Sequence, residues 1–427
     1  MPSTQCETSG EKPMKNLKRN FTLNVFDGIS WFTGMIFISP ESVLPVFLDK
    51  LGAAPILISL IPVLKNLGVY FPSIFVARKL QTLKRKKKWI IFMGLGQRLP
   101  WVFCGVFCVL FAGQYRLAAT VFILVALFLT SVCGGLNVPA YTYFTAKTIP
   151  MNLRGRLFAV RNLVSYILGF LCGGLIKWLM DEIPGPLNFS VLMLIGTAIL
   201  MLYLPAFIFA KEPDAKKTEK KTRSNAEFFR YLFGLLKSNA NLRRYIAGRI
   251  FFTVSFVSYN YFPVFVIKTY SLPDSIVGTF AIITAATFVI ANPLLGILSD
   301  KKGHLYNHFL GSFALIAANL IAVYSGIMWL SFLTIALGGF ALCVQTVSLF
   351  ALPMEFGEEH EIPVYVGIVG FFVGVASLFI LLFGGILELF GYRAMFFASL
   401  AASVVSVVFY AKTEEPRKRK AVAIRDV

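Results

Sequence analysis

Four ionisable residues stand inside otherwise apolar stretches in the first quarter of the 427-residue chain: Asp27, Glu41, Lys65 and Arg98. A charged side chain near the centre of a lipid bilayer costs roughly 2.5–3.5 kcal/mol on insertion scales, so four unpaired charges would be a serious burden. Along an α-helix, Asp27 and Glu41 lie about 21 Å apart and differ by about 40° in rotation. One face of the first helix therefore presents a carboxylate at two depths.

Two interpretations of these charges are open at the level of the sequence. The four can neutralise one another in fixed pairs, such as Asp27 with Arg98 and Glu41 with Lys65. Alternatively, one carboxylate exchanges its proton, because the proton affinity of an acid depends on its burial and on nearby cations. A protein that changes the surroundings of such an acid can load a proton on one side of a membrane and release it on the other.

The stretches that hold these residues predict an all-α integral membrane protein. Hydrophobic residues make up 57% of the chain, and apolar stretches of about 20 residues match a hydrocarbon layer of roughly 30 Å. The stretches are continuous rather than alternating in polarity, which excludes a transmembrane β-barrel. We predict twelve transmembrane helices, at residues 22–48, 55–77, 89–111, 117–141, 157–180, 189–210, 244–267, 275–299, 306–326, 328–350, 364–387 and 392–411.

The basic residues lie mainly in alternate connections between these stretches, and the net charge is +20. A basic excess on one side of the membrane follows the positive-inside rule, so we expect both termini to be cytoplasmic. The charge then requires no nucleic acid partner. This interpretation places Arg161 and Arg249 in cytoplasmic connections, together with His304, His308 and His360, and so predicts no buried histidine that could hold a metal.

The chain divides into two halves. Pro150-Met151 precedes the fifth predicted helix, and Pro353-Met354 precedes the eleventh. A repeat of about half the chain length is typical of two related six-helix units. The predicted units are a cytoplasmic tail at 1–20, a six-helix bundle at 21–210, a cytoplasmic linker at 211–243 that contains either an interfacial helix or the start of the seventh helix, a second six-helix bundle at 244–411 and a basic cytoplasmic tail at 412–427.

The loop after the eighth predicted helix carries a short signature formed by Gly296, Asp300, Lys301 and Gly303. This signature resembles the cytoplasmic loop motif of the major facilitator superfamily, and the layout of nearly the whole chain is similar to that family. The equivalent loop in the first half departs from the motif, because it lacks Asp and Gly. The resemblance implies two pseudo-symmetric six-helix bundles that transport a solute by alternating access.

The resemblance also implies where a solute and a gate would lie. In that family, helices one, four, seven and ten line a central cavity, which makes four polar residues candidate wall residues: Asn137, Tyr259, Asn260 and Gln345. The family's loop contacts imply a cytoplasmic gate of opposite charges, with Asp300 facing Arg154 and Arg156, and with Arg78 and Lys79 facing Glu358, Glu359 and Glu361. Two alternatives stay open: aromatic residues that face lipid, and an acidic loop that is solvated without a partner.

The sequence thus predicts a secondary active transporter for a small organic solute, amphipathic or anionic, driven by a proton gradient without a bound cofactor. We expect a monomer in the plasma membrane. The aromatic content favours export of an apolar compound, whereas Lys65 and Arg98 favour uptake of an organic anion. The rival is a non-transporting assembly factor or sensor on the same scaffold. An enzyme is less favoured, because no catalytic grouping is visible, and the chain has no nucleotide-binding glycine loop.

Overall fold

The computed structural model describes residues 16–82, 85–212, 230, 234–348, 351–357 and 362–416, among them 73–75, 77–82, 151–152, 155 and 362–363 by their backbone alone. All regular secondary structure in these residues is helical. Helices are the expected form for apolar stretches of this length, because lipid offers no partner for unpaired backbone groups.

The first half contains eight helices among the described residues. The fifth and sixth are the longest, with 33 and 32 residues, and the first predicted helix is divided between α1 and α2. Their bounds are α1 Leu17–Phe37, α2 Val43–Lys50, α3 Pro55–Thr82, α4 Lys87–Phe111, α5 Arg116–Thr148, α6 Met151–Glu182, α7 Leu187–Met201 and α8 Tyr203–Phe209.

The second half also combines long helices with shorter ones. Its bounds are α9 Ala240–Ser255, α10 Val257–Tyr270, α11 Ile276–Lys302, α12 His304–Tyr324, α13 Met328–Ser348, α14 Ala351–Glu355, α15 Ile362–Ala376 and α16 Ile380–Ala411, with a 3-10 turn at Ser377–Phe379. Gly391 interrupts α16 with a left-handed φ of 80°, a conformation that glycine adopts without steric cost.

Within the described residues, ten helical stretches are long and apolar enough to cross a membrane. This number is lower than the twelve predicted helices for two reasons. The polar residues of α1 keep it outside the set, and the stretch Val364–Ala411 holds two predicted helices on either side of Gly391. The multi-pass membrane fold is therefore present, whereas the division into twelve crossings stays a prediction.

The first predicted helix is broken rather than continuous. It was predicted as one span over 22–48, but the structure ends α1 at Phe37 and begins α2 at Val43. Pro40 has no backbone N–H and disfavours helix at the residue before it. Ser39 holds the break, because its hydroxyl oxygen accepts hydrogen bonds from the backbone N–H groups of Glu41 and Ser42 at 3.3 and 3.2 Å.

Both halves repeat one set of contacts at the end that the charge pattern predicts to be cytoplasmic. Asn20 in α1 donates to the carbonyl of Lys211 at 2.9 Å and accepts from its N–H at 3.0 Å. Asn241 in α9 exchanges the same two bonds with Glu414, each at 2.8 Å. Lys211 and Glu414 stand at the same sequence offset as the two Pro-Met motifs. The sequence repeat thus corresponds to a repeated hydrogen-bond arrangement.

The next residue in each half is a glutamate that accepts from the start of a helix. Glu212 accepts from the N–H groups of Lys86 and Lys87, each at 2.9 Å, and pairs with Lys147 at 3.2 Å. Glu415 accepts from the N–H of Leu305 at 3.1 Å. A carboxylate suits a helix N-terminus, where unpaired N–H groups and the helix dipole attract negative charge. Burial lowers the pKa of Lys86, and Glu212 opposes that shift.

The two halves meet along three sets of helices. α6 packs against α11, α3 packs against α10, α15 and α16, and the short α2 packs against α10. Contacts such as those of α1 with α6 and α7, or of α12 with α13 and α16, stay within a half. The predicted linker at 211–243 lies mostly outside the described residues, although 234–238 are helical.

Replacing Glu212 with Ala is expected to destabilise the first half. The carboxylate is almost fully buried, and its removal leaves two N–H groups and one ammonium without their acceptor, at a cost of about 1–3 kcal/mol. Thermal unfolding of the purified protein in detergent measures the effect. Glu182→Ala, at the exposed end of α6, is the matched control, and equal melting temperatures for the two variants would contradict the assigned role.

Candidate functional site

Glu41 and Lys65 form an ion pair in the middle of the molecule. Glu41 lies in the break between α1 and α2, and Lys65 lies ten residues into α3, or roughly 15 Å along its axis. The Glu41 side chain is 12% exposed, whereas that of Lys65 is 39% exposed. The Lys65 ammonium thus keeps exposed surface although it lies far from both ends of its helix.

Asp27 and Arg98 form a second, deeper contact. Their closest charged atoms, Asp27 Oδ1 and Arg98 Nη2, lie 4.0 Å apart, and both side chains are buried. Arg98 also donates to the carbonyls of Leu200 and Gly94 at 2.7 and 2.9 Å, and its guanidinium stacks 3.6 Å from the Tyr203 ring centre. The protein itself therefore satisfies most of the guanidinium, while the carboxylate is held only at the limit of an ion pair.

A third buried cation, Arg161, stands beside Asp27. Its Nη1 donates to the Tyr141 hydroxyl at 2.5 Å, and that hydroxyl donates to Asn24 Oδ1 at 3.0 Å. The guanidinium crosses α1 at Gly28, where a Cβ atom would overlap it. Gly28 thus allows α6 to bring its arginine against the acid-bearing helix.

The second half contains a comparable buried cation. Arg249 in α9 has no exposed surface, and its Nη2 donates to Gln345 Oε1 at 3.1 Å. His308 in α12 is also fully buried and neighbours Arg249 and the ring of Tyr245. These residues join α9, α12 and α13 in the second half.

The sequence interpretation was wrong for Arg161, Arg249 and His308. It assigned all three to cytoplasmic connections, but Arg161 is 7% exposed and the other two are fully buried. Arg161 and Arg249 lie about ten residues beyond the starts of α6 and α9, or roughly 15 Å inside. Each arginine lies too far from the start of its helix to belong to a group of solvated charges at the membrane surface. That distance was the signal that could have shown its burial.

The four candidate wall residues all make polar contacts. Asn137 donates to Gln97 at 3.2 Å, and Tyr259 shares a hydrogen bond of 3.1 Å with Thr284. Asn260 donates to the carbonyl of Pro40 at 2.8 Å, which links α10 to the break after α1. Gln345 is the acceptor of Arg249. Their predicted role in lining a solute path stays a prediction.

Crossed ion pairs join the halves at the end that the charge pattern predicts to face outside, here called the outer end. Asp49 in α2 pairs with Lys268 in α10 at 2.5 Å, and Lys50 pairs with Asp274 at 3.0 Å. Each half contributes one acid and one base. The sequence analysis did not single out these residues, because adjacent opposite charges at a helix end are common in solvated loops.

The predicted cytoplasmic gate is only partly within the described residues. The side chains of Arg78 and Lys79 and the residues Glu358, Glu359 and Glu361 lie outside them. In the described part, Arg154 donates to the carbonyls of Ile149 and Ala146, at the C-terminus of α5. Neither Arg154 nor Arg156 forms an ion pair there with Asp300. The gate stays a prediction.

The loop motif has one clear structural role. Gly303 ends α11 with a φ of 94°, and a Cβ at this position would overlap the Glu415 carboxylate. The next residue, His304, starts α12 and lies 3.9 Å from Glu355. Gly303 therefore permits the close approach of Glu415 to the start of α12.

With this geometry established, comparison with known proteins identifies the class. The family model of the Major Facilitator Superfamily matches residues 27–356 and, in a second match, residues 250–426. The chain therefore belongs to the Major Facilitator Superfamily and is a multi-pass membrane protein with a transporter fold, rather than an enzyme. No curated protein sequence matches the chain.

Solved structures share this fold at low sequence identity. A D-xylose-proton symporter matches with a TM-score of 0.71 and 12% identity, over 94% of this chain and 99% of its own. A mutant form of the nucleoside transporter NupG matches with a TM-score of 0.70 and 10% identity, over 93% and 99%. A bacterial homologue of the iron transporter ferroportin, in an inward-facing state, matches with a TM-score of 0.66 and 14% identity, over 93% and 99%.

Replacing Gly28 with Ala is expected to displace Arg161 from α1. The new methyl group overlaps the guanidinium, and overpacking of this kind costs about 1–3 kcal/mol. The melting temperature should fall. Gly174→Ala is the matched control, because a Cβ there meets nothing within 4 Å and removing a helical glycine gains up to about 1 kcal/mol. Equal stability of the two variants would contradict the packing described here.

Proposed function

We propose that the protein is a secondary active transporter that moves a small organic solute across the plasma membrane by alternating access, coupled to protons. The crossed ion pairs at the outer end carry the proposal, because they join the two halves through side chains that can separate. Exposed ion pairs contribute only about 0–1 kcal/mol each. Contacts of this strength suit a closure that opens again when the other side closes.

A second layer of contacts supports the closure beneath the ion pairs. Tyr261 in α10 donates to the carbonyl of Pro55 at 2.5 Å and shares a hydrogen bond of 2.7 Å with Ser59. Asn260 reaches Pro40 in the same region. A protein closed at the outer end should have its cytoplasmic gate released, which agrees with the absence of an Asp300 ion pair among the described gate residues.

Asp27 is the residue that we assign to proton coupling. Its carboxylate is buried, 4.0 Å from Arg98 and near Arg161, which belongs to another helix. A shift of α6 relative to α1 would change the charge around Asp27, and with it the proton affinity of the acid. The Glu41–Lys65 pair lies nearer to exposed surface and can exchange its partner for a solute group.

Replacing Asp27 with Asn is expected to uncouple solute flux from the proton gradient. The amide has nearly the same shape but cannot take up a proton, so an imposed pH gradient should no longer stimulate uptake, a loss of about tenfold or more. Proteoliposome flux over a panel of metabolites and dyes, with and without the gradient, measures this. Asp181→Asn, at an exposed position of α6, controls for loss of charge.

Normal coupling in the correctly folded Asp27→Asn variant would remove Asp27 from the mechanism. An absence of flux for every solute in the wild-type protein would instead favour the alternative function, a non-transporting assembly factor or sensor on this scaffold.

Replacing Lys268 with Asp is expected to open the outer end. The change turns an attraction to Asp49 into a repulsion, so labelling of a Ser59→Cys reporter by a membrane-impermeant thiol reagent should rise about fivefold, the population change for roughly 1 kcal/mol. Adding Asp49→Lys should reverse much of the rise. Lys177→Asp is the matched control, because Lys177 pairs with Asp181 within α6. If labelling of the reporter does not rise in the Lys268→Asp variant, or rises equally in the Lys177→Asp control, the proposed closure is wrong.

A further inference from the structure

Basic residues outnumber acidic ones deep inside the described helices. With Gly391 taken as the end of one membrane stretch and the start of the next, six acidic or basic residues lie more than two helical turns from either end of their stretch. The four bases are Lys65, Arg98, Arg161 and Arg249, and the two acids are Asp27 and Glu41. A region of low dielectric constant with an excess of positive charge favours a ligand that brings negative charge.

Among these four bases, Arg249 has the most buried nitrogen atoms without a well-formed hydrogen bond. Its side chain has no exposed surface, and its Nη2 donates to Gln345. Nε and Nη1 form no well-formed hydrogen bond, and the hydroxyls of Tyr70 and Tyr410 lie close enough to the guanidinium to serve as neutral acceptors. Among the described residues, no carboxylate lies within 4 Å of it.

Arg98 shows how this chain treats an arginine with a structural role. Two backbone carbonyls, an aromatic face and Asp27 surround its guanidinium. Arg249 has only neutral oxygens around it instead, from Gln345 and the neighbouring tyrosine hydroxyls, in a setting of similar burial. A buried charge that is not paired with an opposite charge is costly, so we expect a group with negative charge to complete the arrangement. Water supplies no such charge.

Arg249 also stands where the two halves meet. Tyr70, from α3 of the first half, interacts electrostatically with Arg249 and with Lys65, and it packs against Gly370 of α15. The Lys65 side chain, on the same helix as Tyr70, is 39% exposed. A positive strip thus runs from the open Lys65 past Tyr70 to the closed Arg249, across the interface that alternating access would part.

We propose that the transported solute is an organic anion, and that its carboxylate or phosphate group binds Arg249 from the side of Lys65. This inference rests on the proposed transport function and narrows the solute class. Opening of the interface beside Tyr70 exposes the two unused nitrogens of Arg249. The Phe252 ring, 5.4 Å from the guanidinium, supplies an apolar wall for the organic part of the solute.

The test uses the purified full-length protein and measures thermal stability in detergent. The probes are benzoate, succinate and glycerol phosphate, each compared with an uncharged analogue of similar size: benzamide, succinamide and glycerol. At least one anion should raise the melting temperature of the wild type in a saturable manner, and its analogue should not. Arg249→Gln should weaken that binding at least tenfold, whereas Arg249→Lys should retain part of it.

Arg244→Gln, an exposed arginine on the same helix, should leave anion binding unchanged. Stabilisation of the wild type by uncharged analogues as strong as by anions, or by no anion at all, would overturn the proposal even if Arg249→Gln does not fold. So would full anion binding by a folded Arg249→Gln protein. Proteoliposome flux of uncharged solutes alone would leave the transport function standing and refute the anionic class, whereas an absence of all flux refutes both.

Discussion

The free-energy cost of placing charge inside a lipid-spanning protein governs this structure. Six acidic or basic groups lie deep within its membrane-spanning stretches, and partners on other elements lower the cost of keeping most of them ionised. Glu41 meets Lys65 across the break in the first helix, and Asp27 approaches Arg98 while Arg161 arrives from α6. The positions of α1, α3, α4 and α6 therefore depend on one another through charge as well as through apolar packing.

The contacts between the halves differ in kind from those within them. Within each half, asparagine and glutamate side chains bind backbone groups at the end opposite the outer end, in matching arrangements around Lys211 and Glu414. Between the halves, the outer contacts are partly exposed ion pairs such as Lys50–Asp274. Water and salt screen the second kind much more than the first. The hydrogen-bonded ends of each half can thus stay intact while the outer contact breaks and reforms.

Small residues allow this dense arrangement of charge and helix. Gly28 admits the Arg161 guanidinium against α1, and Gly303 admits the Glu415 carboxylate at the start of α12. In the interface between α3 and α15, Gly370 faces the ring of Tyr70. At each of these positions a methyl group would meet the polar or aromatic side chain that links two elements. Glycine here serves close approach, and only at Gly303 does it also serve a left-handed backbone.

Much of the architecture could be predicted from the chain alone, because lipid permits few solutions. Long apolar stretches must be helical, alternate basic connections set an orientation, and the Pro-Met repeat indicates two related halves. The separation of the last two predicted helices near Gly391 was already predicted from the sequence. The interruption of the first helix near Pro40 could be seen only in the coordinates, since hydropathy does not resolve a break of a few residues.

The linear order of residues also determined which acids and bases stand in apolar surroundings: Asp27, Glu41, Lys65 and Arg98. Tertiary structure decided the distances between these residues. It also showed that Arg161 and Arg249 are buried, although their basic neighbours in sequence had indicated solvated connections. It alone brought Asp49 to Lys268, because residues so far apart in sequence meet only after the halves pack. Composition and spacing report the cost of each buried charge, whereas the fold decides which group offsets it.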